Sequence, residues 1–243
     1  MTTEGLHFEF KRRWDKNDNN HKRGWTDIQI DQLFNNVSSD YVDLFAVGRN
    51  PKNYNVGFEV TGQMIDMVST LVRSYPEQPE LAATSIDDDI YVVDFEGLAE
   101  PYRHYKTAIL RDKYCGLVEV NIEQHHDLST IRLDYHRKAS KRWKRVPATI
   151  RNNKLYLYTD GQFTIEGVQI TYIKEPNPIC LGTYTIEPTV DEPNPTVLKD
   201  YSETDISENF HHILVTMAVQ EAARIYSDQF QLVAQTNKLG NIN

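Results

Sequence analysis

Between Ser202 and Ala234 apolar side chains return at helical spacing: Ile206, Phe210, Ile213, Leu214, Met217 and Ile225, with the small residues Ala218 and Ala222 close to the same face. An amphipathic helix of this length is held in a protein by covering its apolar face, and small residues there let a second helix come close. The other strongly helical part of the chain is its first third. The pattern therefore predicts a chain that starts as helices, passes through β-structure and returns to close a helical core.

In that first third, Leu6, Phe10 and Trp14 stand four apart and predict a short amphipathic helix over residues 5–16, with Lys11, Arg12 and Arg13 facing away. After the polar stretch 17–24, Thr26-Asp27-Ile28-Gln29 reads as a capping box, and Trp25 is placed to staple onto Ile30. Ile30, Leu33, Phe34, Val37, Tyr41, Leu44 and Phe45 continue the helix until Gly48 and Pro51 end it. A further helix is predicted from about Phe58 through Met64, Met67, Val68, Leu71 and Val72, stopped by Pro76. Two such helices with a short connection pack as an antiparallel pair and leave a face for another helix.

Beyond Pro79 the period changes to the alternation of strands. Ile90–Phe95 is β-branched and aromatic behind the acidic Asp87-Asp88-Asp89, and Val118, Val120 and Ile122 alternate with Glu119, Asn121 and Glu123 as in a strand with one wet face. Lys154–Thr159 and Gln162–Ile173 flank Asp160-Gly161, which predicts a hairpin with a two-residue turn; a second turn at Asn152-Asn153 would make Ala148–Ile173 a three-stranded meander. A single helical turn or irregular segment is expected over 127–133. From Glu175 to Pro195 the prolines 176, 178, 188, 193 and 195 forbid an internal helix or central strand, so this stretch reads as an arm crossing back toward the helices.

Composition removes several function classes. A net charge of −9 and a pI near 5.4 argue against a general nucleic-acid coat, though not against a local basic patch. No apolar run approaches the roughly 20 residues needed to span a bilayer, and the first residues lack the apolar core of a signal peptide, so a soluble, unsecreted protein is expected. Cys115 and Cys180 have no metal spacing and are expected to be reduced thiols. The 243 residues, 40% of them hydrophobic, suffice for an ordinary core.

Catalytic motifs are absent from the sequence: it has no phosphate loop, His-Glu-x-x-His, Cys-x-x-Cys or Gly-x-Ser-x-Gly. Asp87, Asp88 and Asp89 with Asp94 or Glu96 could offer oxygen ligands to Mg²⁺ or Ca²⁺, which leaves a metal-dependent nucleic-acid or nucleotide enzyme as an alternative. Three successive carboxylates are more often a solvated turn. His125-His126 and His211-His212 are adjacent pairs and do not converge on one ion unaided.

The strongest charge anomaly is His136–Arg145, in which Arg137, Lys138, Lys141, Arg142, Lys144 and Arg145 surround Trp143. A solvated loop, a contact with an acidic surface of another subunit, and a contact with nucleic acid all fit it. An acidic counterpart is available in the proline-rich arm, where Pro188, Asp191 and Glu192 are further candidates for subunit contact.

The run FEFKRRWDKNDNNHKRGWTDIQIDQLFNNVSSDYVDLF, followed by FEVTGQMIDMVSTLV, resembles the N-terminal helical part of head-to-tail connector and tail-ring proteins of short-tailed phages, most closely the crAss-like phages. Phe10, Asp15, Trp25, Ile30, Asp31 and Asn35 carry the first match; Phe58-Glu59, Gln63, Asp66 and Leu71 carry the second. VPATIRNNKLYLYTDGQFTIEGVQITYIKEPNPI and SENFHHILVTMAVQEAARIYSD are similar to later parts of the same family. The resemblance implies a virion structural protein of the tail or head-tail interface, without enzymatic activity or cofactor. Identical subunits would form a ring, commonly dodecameric, below the portal protein and against other tail components, with DNA passing through its channel without sequence-specific binding and with no membrane partner. A capsid decoration or host-binding module is the other non-enzymatic alternative.

Together these readings predict an α+β fold. Residues 1–79 form an N-terminal helical part, residues 80–185 an antiparallel β-subdomain, residues 186–201 the proline-rich arm, and residues 202–243 a long helix that packs back on the N-terminal part. The resemblance makes the helices a bundle and the inserted subdomain β-sandwich-like or barrel-like.

Overall fold

A computed structural model describes residues 1–16, 24–46, 66, 68–182 and 201–240. The fold is mixed α and β, and the chain divides into two compact units, Met1–Thr70 with Pro176–Asn243, and Leu71–Glu175.

The first unit contains α1 (Thr3–Lys16), α2 (Asp27–Ala46) and a long C-terminal helix, called α4 below (His211–Gly240). On α1 the predicted stripe is the buried one, with Leu6 and Phe10 fully buried and Trp14 nearly so. The capping box forms reciprocally: Gln29 N–H donates to Thr26 Oγ1 at 3.4 Å, and Thr26 N–H donates to Gln29 Oε1 at 3.1 Å. Trp25 packs edge-on against Phe10 and Trp14, with centroids at 6.3 and 5.9 Å, so its aromatic partners lie on α1. Ile30, Leu33, Phe34, Val37, Tyr41 and Phe45 are buried along α2.

The C-terminal helix begins later than its stripe suggests. Ser202–Ser207 is not helical, Glu208–Phe210 is a 3₁₀ turn, and α4 proper starts at His211. The reason is local: Ser202 is engaged in a β-bridge with Cys180, and Ile206 is buried ahead of the helix. Leu214, Val215, Ala218 and Ala222 are fully buried, whereas Ile213, Met217 and Ile225 are half-buried at the edges of the face. α4 meets α1 and α2; Arg13 donates to Thr216 Oγ1 at 2.8 Å, and Trp14 faces Tyr226 at 6.5 Å. The helix predicted from Phe58 lies largely outside the described residues. Its end is corrected: Ser69–Leu71 is a 3₁₀ turn, and Val72 belongs to a strand.

The second unit is an eight-stranded sheet curled into a half-barrel, with one short helix, α3 (Leu128–Leu133). Its strands are β1 (Val72–Arg73), β2 (Ala83–Asp87), β3 (Ile90–Asp94), β4 (Tyr102–Asp112), β5 (Gly116–Ile122), β6 (Arg145–Arg151), β7 (Lys154–Tyr158) and β8 (Ile165–Lys174). They lie in the order β1-β8-β4-β5-β6-β7-β3-β2. The core between the curled faces includes Val93, Leu110, Val118, Val146, Leu155, Leu157, Val168 and Tyr172, all fully buried. Each such side chain contributes on the order of 2 kcal/mol of burial free energy.

Three expectations fail here. The sheet is not wholly antiparallel, because β5 and β6 pair in parallel from Glu119↔Arg145 to Ile122↔Ala148. Parallel neighbours need a long crossover, and the connection carrying α3 supplies it. Nor do β7 and β8 form the predicted hairpin, because β7 pairs with β6 and β3 while β8 pairs with β4 and β1. The β4–β8 ladder runs from Tyr102↔Lys174 to Asp112↔Ile165, and this long pairing outweighs the local turn signal of Asp160-Gly161. The tight turn of this region is Asn152-Asn153, closing Arg151↔Lys154 with both residues at positive φ, 50° and 60°, as a two-residue hairpin requires. Ile122, expected on the buried face of its strand, is 39% exposed.

Candidate functional site

The basic segment Arg137–Arg145 lies in the β5–β6 crossover, and its base is built rather than merely solvated. Ser140 and Arg145 exchange backbone hydrogen bonds of 3.0 and 3.2 Å, closing a tight loop, and Ala139 is buried beneath it. Arg137 pairs with Glu123 at 3.2 Å. Lys141 reaches the buried carboxylate of Asp112 at 3.5 Å and lies over the rings of Tyr114 and Phe163 at 5.3 and 5.5 Å.

Asp112 is the fixed point of this arrangement. It accepts N–H bonds from Tyr114 (3.0 Å), Cys115 (2.9 Å) and Thr164 (2.6 Å), which tie the β4–β5 turn to the start of β8. Burial by itself raises this carboxyl, but the N–H groups of Cys115, Thr164 and Tyr114 outweigh it and hold the group well below the usual carboxylate range. The same environment, chiefly burial and then the Asp112 carboxylate, pushes the Cys115 thiol up, away from the thiolate a reactive cysteine needs.

Above this base the loop tip is open. Lys144 takes the left-handed conformation at φ 47°, and Arg142, Trp143 and Lys144 are exposed, Trp143 at 63%. Arg142 lies over the Trp143 ring at 5.5 Å, and Lys138 lies over the exposed Tyr135 ring at 5.6 Å. Among the described residues none of Lys138, Arg142 and Lys144 is in an ion pair. The six basic candidates thus separate: Arg137 and Lys141 are partnered, Arg145 is half-buried at the start of β6, and the other three face solvent.

Pro188, Asp191 and Glu192 lie outside the described residues. Asp89 pairs with Arg132, while Asp94 accepts from Glu96 N–H and pairs with Lys154 at 2.9 Å. The Glu96 N–H and then Lys154 hold the Asp94 carboxyl below its ordinary value. Asp89 and Asp94 sit near opposite ends of β3, and among the described residues no three His, Cys, Asp or Glu side chains are grouped as a metal site requires. His211 is buried and bonded to the Ile206 carbonyl at 2.8 Å, whereas His212 is exposed.

A second feature, on the helical unit, was not visible as a site in the sequence. Asn35 donates from Nδ2 to the Ile179 carbonyl and accepts the Ile179 N–H on Oδ1; one turn earlier, Asp31 Oδ2 accepts the Leu181 N–H at 3.0 Å. The fully buried Asp31 also accepts from His7 Nε2 at 2.6 Å. Cys180 and Ser202 exchange backbone bonds of 3.3 and 3.0 Å, and Thr3 Oγ1 donates to the Ser202 carbonyl at 2.8 Å. The described residues on either side of the stretch 183–200 are thus paired with each other on the helical unit, through Cys180 and Ser202. The available signal was a polar pair, Asp31 and Asn35, at i and i+4 beside the apolar face of α2.

No protein-family model matches the chain, and no curated protein is significantly similar to it. Of the two features, one holds a segment, and the other presents charge and aromatic surface.

Proposed function

We propose that this chain is a virion structural protein, a head-to-tail connector or tail-ring subunit of a short-tailed phage. In this reading α1, α2 and α4 belong to a helical bundle, and the half-barrel is a β-subdomain inserted between its parts. Copies meet head to tail in a ring below the portal, supporting the channel through which DNA passes without sequence-specific binding. A heterologous ring needs two different complementary surfaces on each subunit.

The observation that carries the reading is the root of the arm. Asp31 and Asn35, two of the residues on which the resemblance rests, are the side chains that hold segment 179–181, from which the arm departs. An assembly arm needs such a root, because a contact transmits load and specificity only when its base is fixed. Electron microscopy of the purified protein, alone and mixed with its portal, tests the proposal. Closed rings or a portal-dependent collar support it, and a monomer inert under both conditions overturns it.

A further inference from the structure

The sequence leaves Arg137–Arg145 open to solvent, to another subunit or to nucleic acid, and the geometry of its tip points to the last: we propose that Arg142, Trp143 and Lys144, with Tyr135 and Lys138, form a binding surface for single-stranded nucleic acid. The inference stands apart from the connector reading, since it rests on the loop alone.

An acidic chain would be expected to neutralise its few clustered cations internally. Here it does so for Arg137 and Lys141 at the base and leaves Lys138, Arg142 and Lys144 exposed and outside any described ion pair. Two of these cations are placed over exposed rings, Arg142 over Trp143 and Lys138 over Tyr135. Trp143 is 63% and Tyr135 71% exposed, so each large ring keeps surface open to solvent at a cost in hydration. Same-sign charge interleaved with exposed aromatic faces is the chemistry that reads an unpaired strand: cations meet phosphates while bases stack on the rings. An acidic protein surface would use the charges and has no need of flat rings. A duplex would meet the charges but keeps its base faces hidden.

The loop is also pre-organised for the task. The Ser140–Arg145 backbone pair, the Lys141–Asp112 contact and the Arg137–Glu123 pair fix its base, so little ordering remains to oppose binding.

Fluorescence anisotropy of a labelled oligo-dT of about 20 nucleotides, titrated with the full chain, tests this. Binding is expected to fall with salt at a log–log slope of about −2, from roughly −0.7 for each of three cations. Trp143→Ala should weaken it about tenfold, as loss of one stacking platform does. The double substitution Arg142→Ser, Lys144→Ser should weaken it further and flatten the salt slope. All these side chains are exposed, and unchanged thermal unfolding of each variant confirms that the fold is intact. Preference for oligo-dT over a duplex of equal length, with quenching of tryptophan fluorescence that Trp143→Ala removes, supports the proposal. It is overturned by absence of binding at low salt, by equal affinity for the duplex, or by polyglutamate competing as well as oligo-dT at equal charge.

Discussion

Asn35 and Ile179 form a closed two-bond pair across 144 positions of sequence: the side-chain amide donates to the Ile179 carbonyl at 3.0 Å, and the side-chain carbonyl accepts the Ile179 N–H at 2.6 Å. An asparagine used in this way replaces a neighbouring strand, satisfying both backbone groups of a residue that has no strand partner of its own. One helical turn away Asp31, an acceptor only, takes the Leu181 N–H.

Asn35→Ala should therefore cost about 2 kcal/mol, roughly 1 for each hydrogen bond lost, with the fold retained. Hydrogen exchange gives the more specific measure. The amides of Ile179 and Leu181 should lose protection in this variant while those of Leu33 and Val37 on α2 keep theirs. Equal loss at all four would mean that Asn35 supports the helix rather than the segment.

Asp112 leads to a prediction about pH. Its carboxyl is held below its ordinary value of 3.8, so the stabilisation is fully present above that value and is lost as pH falls through the folded-state value. Asp112→Asn replaces one acceptor by a donor facing backbone N–H groups and should cost about 2–4 kcal/mol at neutral pH. The variant should also lose less additional stability on acidification from pH about 7 to about 3 than the parent, since the titrating group is gone. Thermal unfolding at the two pH values checks both. Loss of the Asp112 partner should loosen Lys141 as well, visible as faster exchange of the amides at 140–145.

How much of this was legible in advance depends on the range of the interaction. The stripe Leu6, Phe10, Trp14, the Thr26–Gln29 capping box and the buried face of α2 are set by neighbours within a turn or two, and local spacing reveals them. The parallel pairing of β5 with β6 and the separation of β7 from β8 are decided by partners far along the chain, where local turn chemistry is only one contribution. The basic loop could be seen as a run of charge, but not its division into partnered base and open tip, because Asp112 lies at the end of β4 and Glu123 just after β5, away from the run in sequence. Asp31 and Asn35 were legible as residues and not as a clamp, since nothing near them in sequence names Ile179 or Leu181.

His211 supplies a second pH dependence, on the helical unit. Burial, the largest cause, lowers its pKa below 6.5, only partly offset by its bond to the Ile206 carbonyl; Glu208 and the N-terminal amine are the charged groups facing it. A histidine kept neutral by the fold contributes stability above its unfolded value, and that contribution is lost as pH falls through the folded value. His211→Gln keeps a side-chain donor and removes the titration. Urea unfolding at pH about 7.5 and about 5 should show a smaller drop for the variant than for the parent, and an equal drop would assign the acid sensitivity to other groups.

The two turn dipeptides of the sheet make a matched pair for the last prediction. Asn152 and Asn153 both take left-handed backbone in a turn whose ends are hydrogen-bonded strands, at φ 50° and 60°. Asparagine tolerates this conformation and glycine adopts it freely, so Asn153→Gly should stabilise by about 0.5 kcal/mol, while Asn153→Ala should cost about 1–2 kcal/mol. Gly161 is also left-handed, at φ 73°, but it lies on a connection between strands that are not neighbours. Insertion of Gly-Ser after Gly161 therefore lengthens a loop and should cost less than about 1 kcal/mol. The same insertion between Asn152 and Asn153 abolishes the two-residue turn that sets the β6–β7 register and should cost about 1–3 kcal/mol. Urea midpoints of the two insertion variants decide between the topologies: a β7–β8 hairpin would make the two losses alike, because Asp160-Gly161 would then also be a turn that cannot be lengthened.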